Sequence, residues 1–109
     1  MRIWDIDPGK LCRSHLLGEH RELHAIWTIL TEGKKGYSRH PETLRWNNKL
    51  KALYRRHAKL VAEMQKRSFL HKSELNRAHA TGSGVQRVYV DPLIRQKSLL
   101  RSKKCACKV

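Results

Sequence analysis

Apolar residues recur at intervals of three and four in the first third of the chain, a spacing that predicts an amphipathic helix. One face of this helix is apolar and consists of Cys12, Leu16, Leu23, Trp27 and Leu30. The opposite face is basic and consists of Arg13, His20, Arg21 and His24. Asp7 can accept amide hydrogen bonds as a cap and Pro8 suits the first helical position, so we expect the helix from about Pro8 to Thr31.

A second amphipathic helix is predicted from about Pro41 to Arg67. Its apolar stripe consists of Trp46, Leu50, Leu53, His57, Leu60 and Met64. We interpret His57 as a hydrogen-bonded core residue rather than a ligand, because buried polar side chains are normally satisfied by neighbours. The other side is basic and carries Lys51, Arg55, Lys59 and Lys66, flanked by Lys49, Arg56 and Arg67. Such a ridge of cations is typical of a surface that follows a nucleic-acid backbone.

The loop between these helices, GKKGYSRH, begins at Gly33 and carries Lys34, Lys35 and Arg39. Its glycines would let a phosphate approach closely, although the loop lacks the spacing of a true phosphate-binding motif. An ordinary helix C-cap followed by a turn accounts for the same residues equally well. Both interpretations stay open.

The helical pattern weakens after the second helix and returns near the end of the chain. Residues 68–89 are expected to form a surface loop with a TGSG turn and a brief strand or extended segment from Val85 to Val90. Asp91 and Pro92 form a cap and first-turn pair, which predicts a third helix over about 92–103. Its inward-facing residues are expected to be Leu93, Leu99 and Leu100.

The chain has 109 residues and therefore room for one small domain, which we expect to span residues 1–109. The predicted elements contain no extended alternating pattern long enough for a sheet. We therefore predict an all-α fold, a compact single domain of three helices with long basic loops.

The charge of the chain is strongly unbalanced, with 24 Lys and Arg against 9 Asp and Glu and a formal net charge of +15. The basic residues are interleaved with apolar ones, which favours a folded basic surface over a disordered arm. A solvated face without a partner would carry both signs, so a polyanionic partner is the better interpretation. The opening residues, MRIWDIDPGK, lack the apolar core of a signal peptide, and no stretch is long enough to span a membrane. A cytoplasmic protein without a membrane partner is expected.

The three cysteines, Cys12, Cys105 and Cys107, are an odd number, so a disulfide framework is not expected. Paired zinc thiolates are usually separated by two to four residues, and we interpret the two in KCACKV as reduced thiols in a C-terminal strand or tail. His20 and His24 lie four apart on one helix face, but no third ligand is evident in the sequence. No metal site is therefore predicted.

Glu22 lies at the border between the two faces of the first helix, next to Arg21 and seven residues after His15. Partial burial and nearby cations act in opposite directions on the ionisation of such a carboxylate, which suits it to proton transfer. From spacing alone, an ordinary exposed pair of charges is the commoner explanation of Arg21 and Glu22.

Residues 15–23 read H-L-L-G-E-H-R-E-L, which resembles the pyrimidine-dimer DNA glycosylase and abasic-site lyase family of the phage endonuclease V type. That family has the pattern H-L-x-x-E-x-R-E-L on the first long helix of an all-α single domain, at a similar distance from the start. The resemblance covers the first half of the chain closely. The second half matches only as a succession of a basic loop, an amphipathic helix and a shorter last helix.

The resemblance implies that the nucleophile is the amino group of the first residue, here Met1, and that Glu22 is the essential carboxylate. An α-amine has a reference pKa of about 7.7 to 8.0, so a useful fraction of such groups is neutral and nucleophilic at physiological pH. By the same resemblance, Arg2, His15 and Arg21 contact phosphates or hold the extrahelical pocket. The predicted DNA surface is completed by the basic residues Lys34, Lys35, Arg39 and Arg45. The implied substrate is double-stranded DNA, bound by a monomer without a cofactor, and the protein would be nucleoid-associated when bound.

Three features depart from the family pattern. Arg2 is too bulky for ordinary methionine removal, so Met1 is expected to persist, and Ala25 stands where the family has a basic residue. The aromatic C-terminal segment associated with dimer recognition is replaced by RSKKCACKV. Two alternatives therefore stay open: a non-catalytic basic nucleic-acid-binding protein of chromatin or ribosomal type, and a related glycosylase for a different modified base.

Overall fold

The computed structural model describes residues 1–71 and 73–109 and shows an all-α protein. Its helices are α1 (Arg13–Glu32), α2 (Pro41–Leu44), α3 (Leu50–Lys66) and α4 (Leu93–Ser102), with 3-10 turns at Pro8–Lys10 and Arg77–His79. No strand occurs in the part of the chain that the structure describes. The prediction of an all-α fold is therefore confirmed.

The core lies between α1 and α3, which pack together along their apolar faces. Leu16 and Leu23 of α1 and Leu53 and Leu60 of α3 are completely buried. Burial of one such side chain stabilises a fold by about 1.5–3 kcal/mol, so these contacts fix the pairing of the two helices. The core also contains residues from the first eleven positions and from α4: Ile3, Trp4, Ile6, Leu11 and Leu100.

The first helix starts later than predicted. Asp7 does accept a hydrogen bond from the Gly9 amide (2.9 Å) and Pro8 does open a helical turn, but this is the separate 3-10 turn. Cys12 is extended (φ −70°, ψ 169°), which ends that turn and makes Arg13 the first residue of α1. At the other end, Gly33 adopts a left-handed conformation (φ 67°) and caps α1. The C-cap interpretation of Gly33 is confirmed.

The prediction of one continuous helix over 41–67 is wrong, because the chain breaks between α2 and α3. Asn48 adopts a left-handed conformation (φ 60°), which a helix interior does not accommodate. The first turn of α3 receives no hydrogen bond from a capping side chain. Its Lys51 and Ala52 amides instead donate to the carbonyls of Thr81 and Ser83, at 2.8 and 3.1 Å. The predicted TGSG turn therefore caps α3.

Gly82 allows this turn to approach α3 closely. Its φ is 78°, and an ideal Cβ at this position would overlap the backbone carbonyl of Asn48. The Ser83 amide donates to that same carbonyl at 2.8 Å. Only glycine combines this backbone conformation with the absence of a side chain.

The third predicted helix is present as α4, but its inward face differs from the prediction. Leu100 is buried as expected, whereas Leu93 is 39% exposed and the polar Gln96 takes the inward position. Gln96 accepts from the amide of Asp5 (2.8 Å) and donates to the Asp5 carboxylate (3.0 Å). Asp91 does not cap α4, since Pro92 occupies the cap position and Asp91 pairs with Arg2.

Residues 85–90 form no strand, and most of their side chains are exposed, which agrees with an extended surface segment. Among the helices of the described ranges, none has the length and apolar character needed to cross a membrane.

Candidate functional site

The first residues of the chain lie against α1. The Trp4 amide donates to the carboxylate of Glu19 at 3.0 Å, and the Trp4 ring contacts the His15 ring edge-on with centroids 5.9 Å apart. The 3-10 turn between Cys12 and Trp4 packs on α3, so this part of the chain runs along the α1–α3 pair from the start of α1 to the level of Glu19. The Ile3 amide donates to a second carboxylate, that of Glu42 in α2, at 3.0 Å.

Glu19 is the first of two buried carboxylates that anchor this segment, with only 2% of the residue exposed. Arg56 of α3 binds it through two nitrogens, with Nε 2.7 Å and Nη2 3.0 Å from its oxygens. Burial raises the pKa of Glu19, while the Arg56 charge and hydrogen bond oppose that effect. Glu19 is not among the site residues predicted from the sequence, although its position three residues after Leu16 and four before Leu23 places it on the apolar face.

Glu42 is the second buried carboxylate, and it binds Arg45. The Arg45 Nη2 donates to Glu42 at 2.6 Å and to the Ile3 carbonyl at 3.0 Å. Its Nη1 donates to Asp5 (3.0 Å) and to the Val88 carbonyl (2.8 Å). Arg45 is only 6% exposed, so this predicted DNA contact lies in the interior, and its guanidinium holds the N-terminal segment in place.

Glu22 and Met1, the catalytic pair implied by the resemblance, are both half-buried. Glu22 follows Glu19 by one helical turn, and among the described residues no ion pair includes it. Met1 accepts a hydrogen bond at its sulfur from Thr43, at 3.4 Å. Of the four acidic residues described here, Asp5, Glu19, Glu22 and Glu42, only Glu22 has no arginine partner among the described residues.

The other predicted site residues differ in their surroundings. Arg21 is exposed beside Glu22, whereas Arg2 pairs with Asp91 at 2.9 Å and lies over the Trp4 ring. Lys34, Lys35 and Arg39 are exposed in the loop that follows α1. His15 is half-buried, and burial and the Lys103 charge lower its pKa.

The basic ridge predicted on α3 is present in part. Its exposed cations are Lys51, Arg55, Lys59 and Lys66. Two of the flanking arginines turn inward instead, since Arg56 binds Glu19 and Arg67 binds Glu63 at 2.9 Å. Of the predicted basic surfaces, the α3 ridge and the loop after α1 therefore both keep exposed cations in the described residues.

Four histidines converge between α1 and α3, beside the leucine core. His20 and His24 of α1 meet His57 of α3 and His71, which follows α3. The Nε2 atom of His24 is 3.2 Å from that of His20 and 3.1 Å from that of His57. The sequence showed the pair on α1 but not its partners, which belong to another helix and to the loop beyond it.

Three cysteines and a histidine meet at the start of α1. The Nδ1 atom of His15 lies 3.1 Å from Sγ of Cys12 and 3.3 Å from Sγ of Cys107. Cys105 belongs to the same group, and its thiol is free like the other two. Burial raises the pKa of Cys107 to about 12. For Cys12 burial acts in the same direction, but hydrogen bonds to the His15 backbone and to Cys107 outweigh it and lower the pKa.

Comparison with protein families gives a match to a family model described as pyrimidine dimer DNA glycosylase, over residues 1–77. No curated protein and no solved structure gives a match. The matched range contains α1, α2, α3 and every residue of the predicted catalytic and DNA-binding set.

Proposed function

Because the chain belongs to the pyrimidine dimer DNA glycosylase family, we propose that it excises damaged pyrimidines from double-stranded DNA and then cleaves the abasic site. The nucleophile in this proposal is the amino group of Met1, and Glu22 is the proton-transfer group. The protein acts as a monomer. The family membership confirms the resemblance seen at residues 15–23.

The observation that carries the proposal is the hydrogen bond from the Trp4 amide to Glu19. Residues 12 back to 4 lead from the start of α1 to Glu19, and beyond them the Met1 sulfur lies at Thr43 of α2. Glu22 lies one helical turn after Glu19, farther from the start of α1. We therefore expect the Met1 amine and the Glu22 carboxylate to lie beside the same part of α1. The buried ion pairs of Glu19 and Glu42 hold this segment in place before substrate arrives, which lowers the entropic cost of attack.

The proposed chemistry starts with attack of the neutral Met1 amine on C1′ of the damaged nucleotide. A nitrogen–carbon bond forms, the glycosidic bond breaks, and the base leaves with the bonding electrons and a proton. Opening of the sugar ring gives a Schiff base between Met1 and C1′. Glu22 stabilises the positive charge that develops on the sugar and then accepts a proton from C2′. The electrons of that C–H bond expel the 3′ phosphate, and water later releases the enzyme from the sugar.

Binding in this proposal uses the exposed cations. Lys34, Lys35 and Arg39 neutralise phosphates on one side, and Arg21 does so beside Glu22. Extrusion of a nucleotide costs a few kcal/mol and costs least where a lesion has already weakened stacking. The excess of positive charge, formally +15, supplies the attraction to DNA that does not depend on sequence.

The test is borohydride trapping with duplexes that carry a cyclobutane pyrimidine dimer, an oxidised pyrimidine or a plain abasic site. We expect a covalent adduct with the abasic duplex, and mass spectrometry of its peptides should locate the adduct on the Met1 nitrogen. An adduct on a lysine side chain would contradict the proposed nucleophile. Salt-sensitive binding without any adduct would instead favour a non-catalytic DNA-binding protein, and cleavage confined to the oxidised duplex would indicate a different lesion.

A further inference from the structure

The four-histidine cluster, defined by His20, His24, His57 and His71, is not used by the proposed chemistry. Its members come from three separate parts of the fold, and one ligand atom of each lies within 4.8 Å of those of the others. The arrangement therefore requires an explanation that involves the nitrogens themselves.

Hydrogen bonding between the rings does not satisfy these nitrogens. Nε2 of His24 faces two other Nε2 atoms, those of His20 and His57, at 3.2 and 3.1 Å. A neutral imidazole nitrogen either donates one hydrogen or offers one lone pair, so it can satisfy only one such neighbour. The Nε2 atom of His71 is buried and has no hydrogen-bond partner among the described residues. One nitrogen in the cluster is thus shared twice and another is left unsatisfied.

A cation at the centre satisfies all four nitrogens at once. Zinc–nitrogen bonds of 2.0–2.1 Å in a tetrahedron place the nitrogens about 3.3–3.4 Å apart. The observed Nε2 separations of 3.1 and 3.2 Å are close to that value. We propose that His20, His24, His57 and His71 bind one Zn²⁺ ion through their Nε2 atoms.

The surroundings of the cluster agree with this proposal. The four histidines are half-buried or buried, so little side-chain freedom remains to be lost when an ion binds. Four protein ligands leave no open position, which is typical of a structural site rather than a catalytic one. The ion would hold the segment after α3 against α1.

The test of this site uses the full chain, freed of metal with a chelator and then titrated with Zn²⁺ or Co²⁺. We expect the His71→Ala variant to bind about one equivalent of metal less than the native chain, since only three of the four ligands remain. His79→Ala is the matched control, because His79 is an exposed histidine in the same segment and should leave the metal content unchanged. His24→Ala is the second variant. Unchanged metal binding by both variants, with helical circular dichroism retained, would overturn the proposal.

The cysteine cluster, defined by Cys12, His15, Cys105 and Cys107, carries a second and independent inference. Its ligand atoms also lie within 4.8 Å of one another, although they come from both ends of the chain. The Cys12 amide donates to Sγ of Cys107 at 3.1 Å, which stabilises negative charge on that sulfur. The Lys108 amide donates to the Lys10 carbonyl at 2.7 Å and holds the tail beside the 3-10 turn that precedes α1.

We infer that these three thiolates and Nδ1 of His15 bind a second Zn²⁺ ion. Three cysteines and one histidine are a common ligand set of structural zinc, and a metal compensates the charge that burial would otherwise disfavour. The one-residue spacing of Cys105 and Cys107 is unusual, but the tail folds back so that both reach the same point. Such an ion would join the C-terminal tail to the start of α1.

Cobalt separates the two sites, because only a thiolate site gives a near-ultraviolet charge-transfer band. Cys107→Ser should remove that band and about one metal equivalent, whereas His71→Ala should keep the band. Ala106→Ser is the matched control, since Ala106 is exposed between the two tail cysteines. Absence of the band in the native chain, or an intact mass that shows a disulfide after purification under reducing conditions, would overturn the inference.

Discussion

Arg56 of α3 and Glu19 of α1 form a two-pronged ion pair in the interior, and the same carboxylate receives the amide hydrogen of Trp4. Arg56 also donates to the Ile6 carbonyl at 2.9 Å. One arginine thus joins three parts of the chain that are far apart in sequence. The ion pair between α1 and α3 therefore helps to hold the N-terminal segment, which carries the proposed nucleophile.

Removal of Arg56 should destabilise the protein strongly. Arg56→Met leaves the Glu19 carboxylate buried without its partner, and breaking a buried pair in this way typically costs about 3–5 kcal/mol. Urea denaturation measures the loss. Lys59→Met is the control, since Lys59 is exposed on the same helix and its replacement should change stability by less than about 0.5 kcal/mol. Similar losses for both variants would show that the ion pair does not anchor the segment.

Glu22→Gln should separate chemistry from binding. The amide keeps the shape of the side chain but cannot accept a proton, so we expect strand cleavage at an abasic site to fall by about 10²–10⁴-fold. DNA affinity should stay within about twofold because no phosphate contact is removed. Glu32→Gln at the exposed end of α1 is the control and should cleave normally. If Glu22→Gln still cleaves at the native rate, the carboxylate is not the proton-transfer group.

The loop after α1 should set part of the salt dependence of DNA binding. Lys34→Gln/Lys35→Gln removes two exposed cations, which should reduce the slope of log affinity against log salt by about 1.8 if each binds a phosphate. Fluorescence anisotropy over a series of salt concentrations measures this slope. Arg95→Gln/Lys104→Gln removes the same charge from exposed positions on α4 and the tail and should change the slope less. Equal slopes for the two double variants would mean that the loop attracts DNA only through net charge.

Gly82→Ala should destabilise the cap of α3. The new Cβ would meet the Asn48 carbonyl and would also hold alanine at a positive φ, for a combined cost of about 2 kcal/mol or more. Thermal denaturation by circular dichroism measures it. Gly36→Ala is the control, because open space surrounds that position and its loop should tolerate the methyl group. A loss of thermal stability in Gly36→Ala but not in Gly82→Ala would contradict this account of the turn.

The long periodic helices could be predicted from the sequence, because burial of leucine stripes decides where α1 and α3 lie. The break between α2 and α3 could not be predicted, since Trp46 continues the apolar stripe while the left-handed Asn48 interrupts the helix. The Asn48 carbonyl accepts a hydrogen bond from Ser83, and Arg45 binds Ile3 and Asp5; local spacing reveals none of these partners.

The candidate sites, too, could be predicted from the sequence only in part. The positions of Arg21 and Glu22 on α1 followed from helical periodicity alone. The buried role of Glu19 required knowledge that Arg56 and Trp4 would reach it, and the metal clusters required knowledge of which helices and which tail meet. His20 and His24 showed half of one cluster, but His57 and His71 became their neighbours only through tertiary packing.

The backbone acceptors for the first turn of α3 belong to Thr81 and Ser83, about thirty positions after the amides they receive. A ribosome releases the chain from its N-terminal end, so α3 emerges well before the residues that complete it. Until the TGSG turn arrives, those amides bond only to water and the helix start frays. Completion of the first turn of α3 is thus a late event in synthesis, because it requires residues 81 and 83.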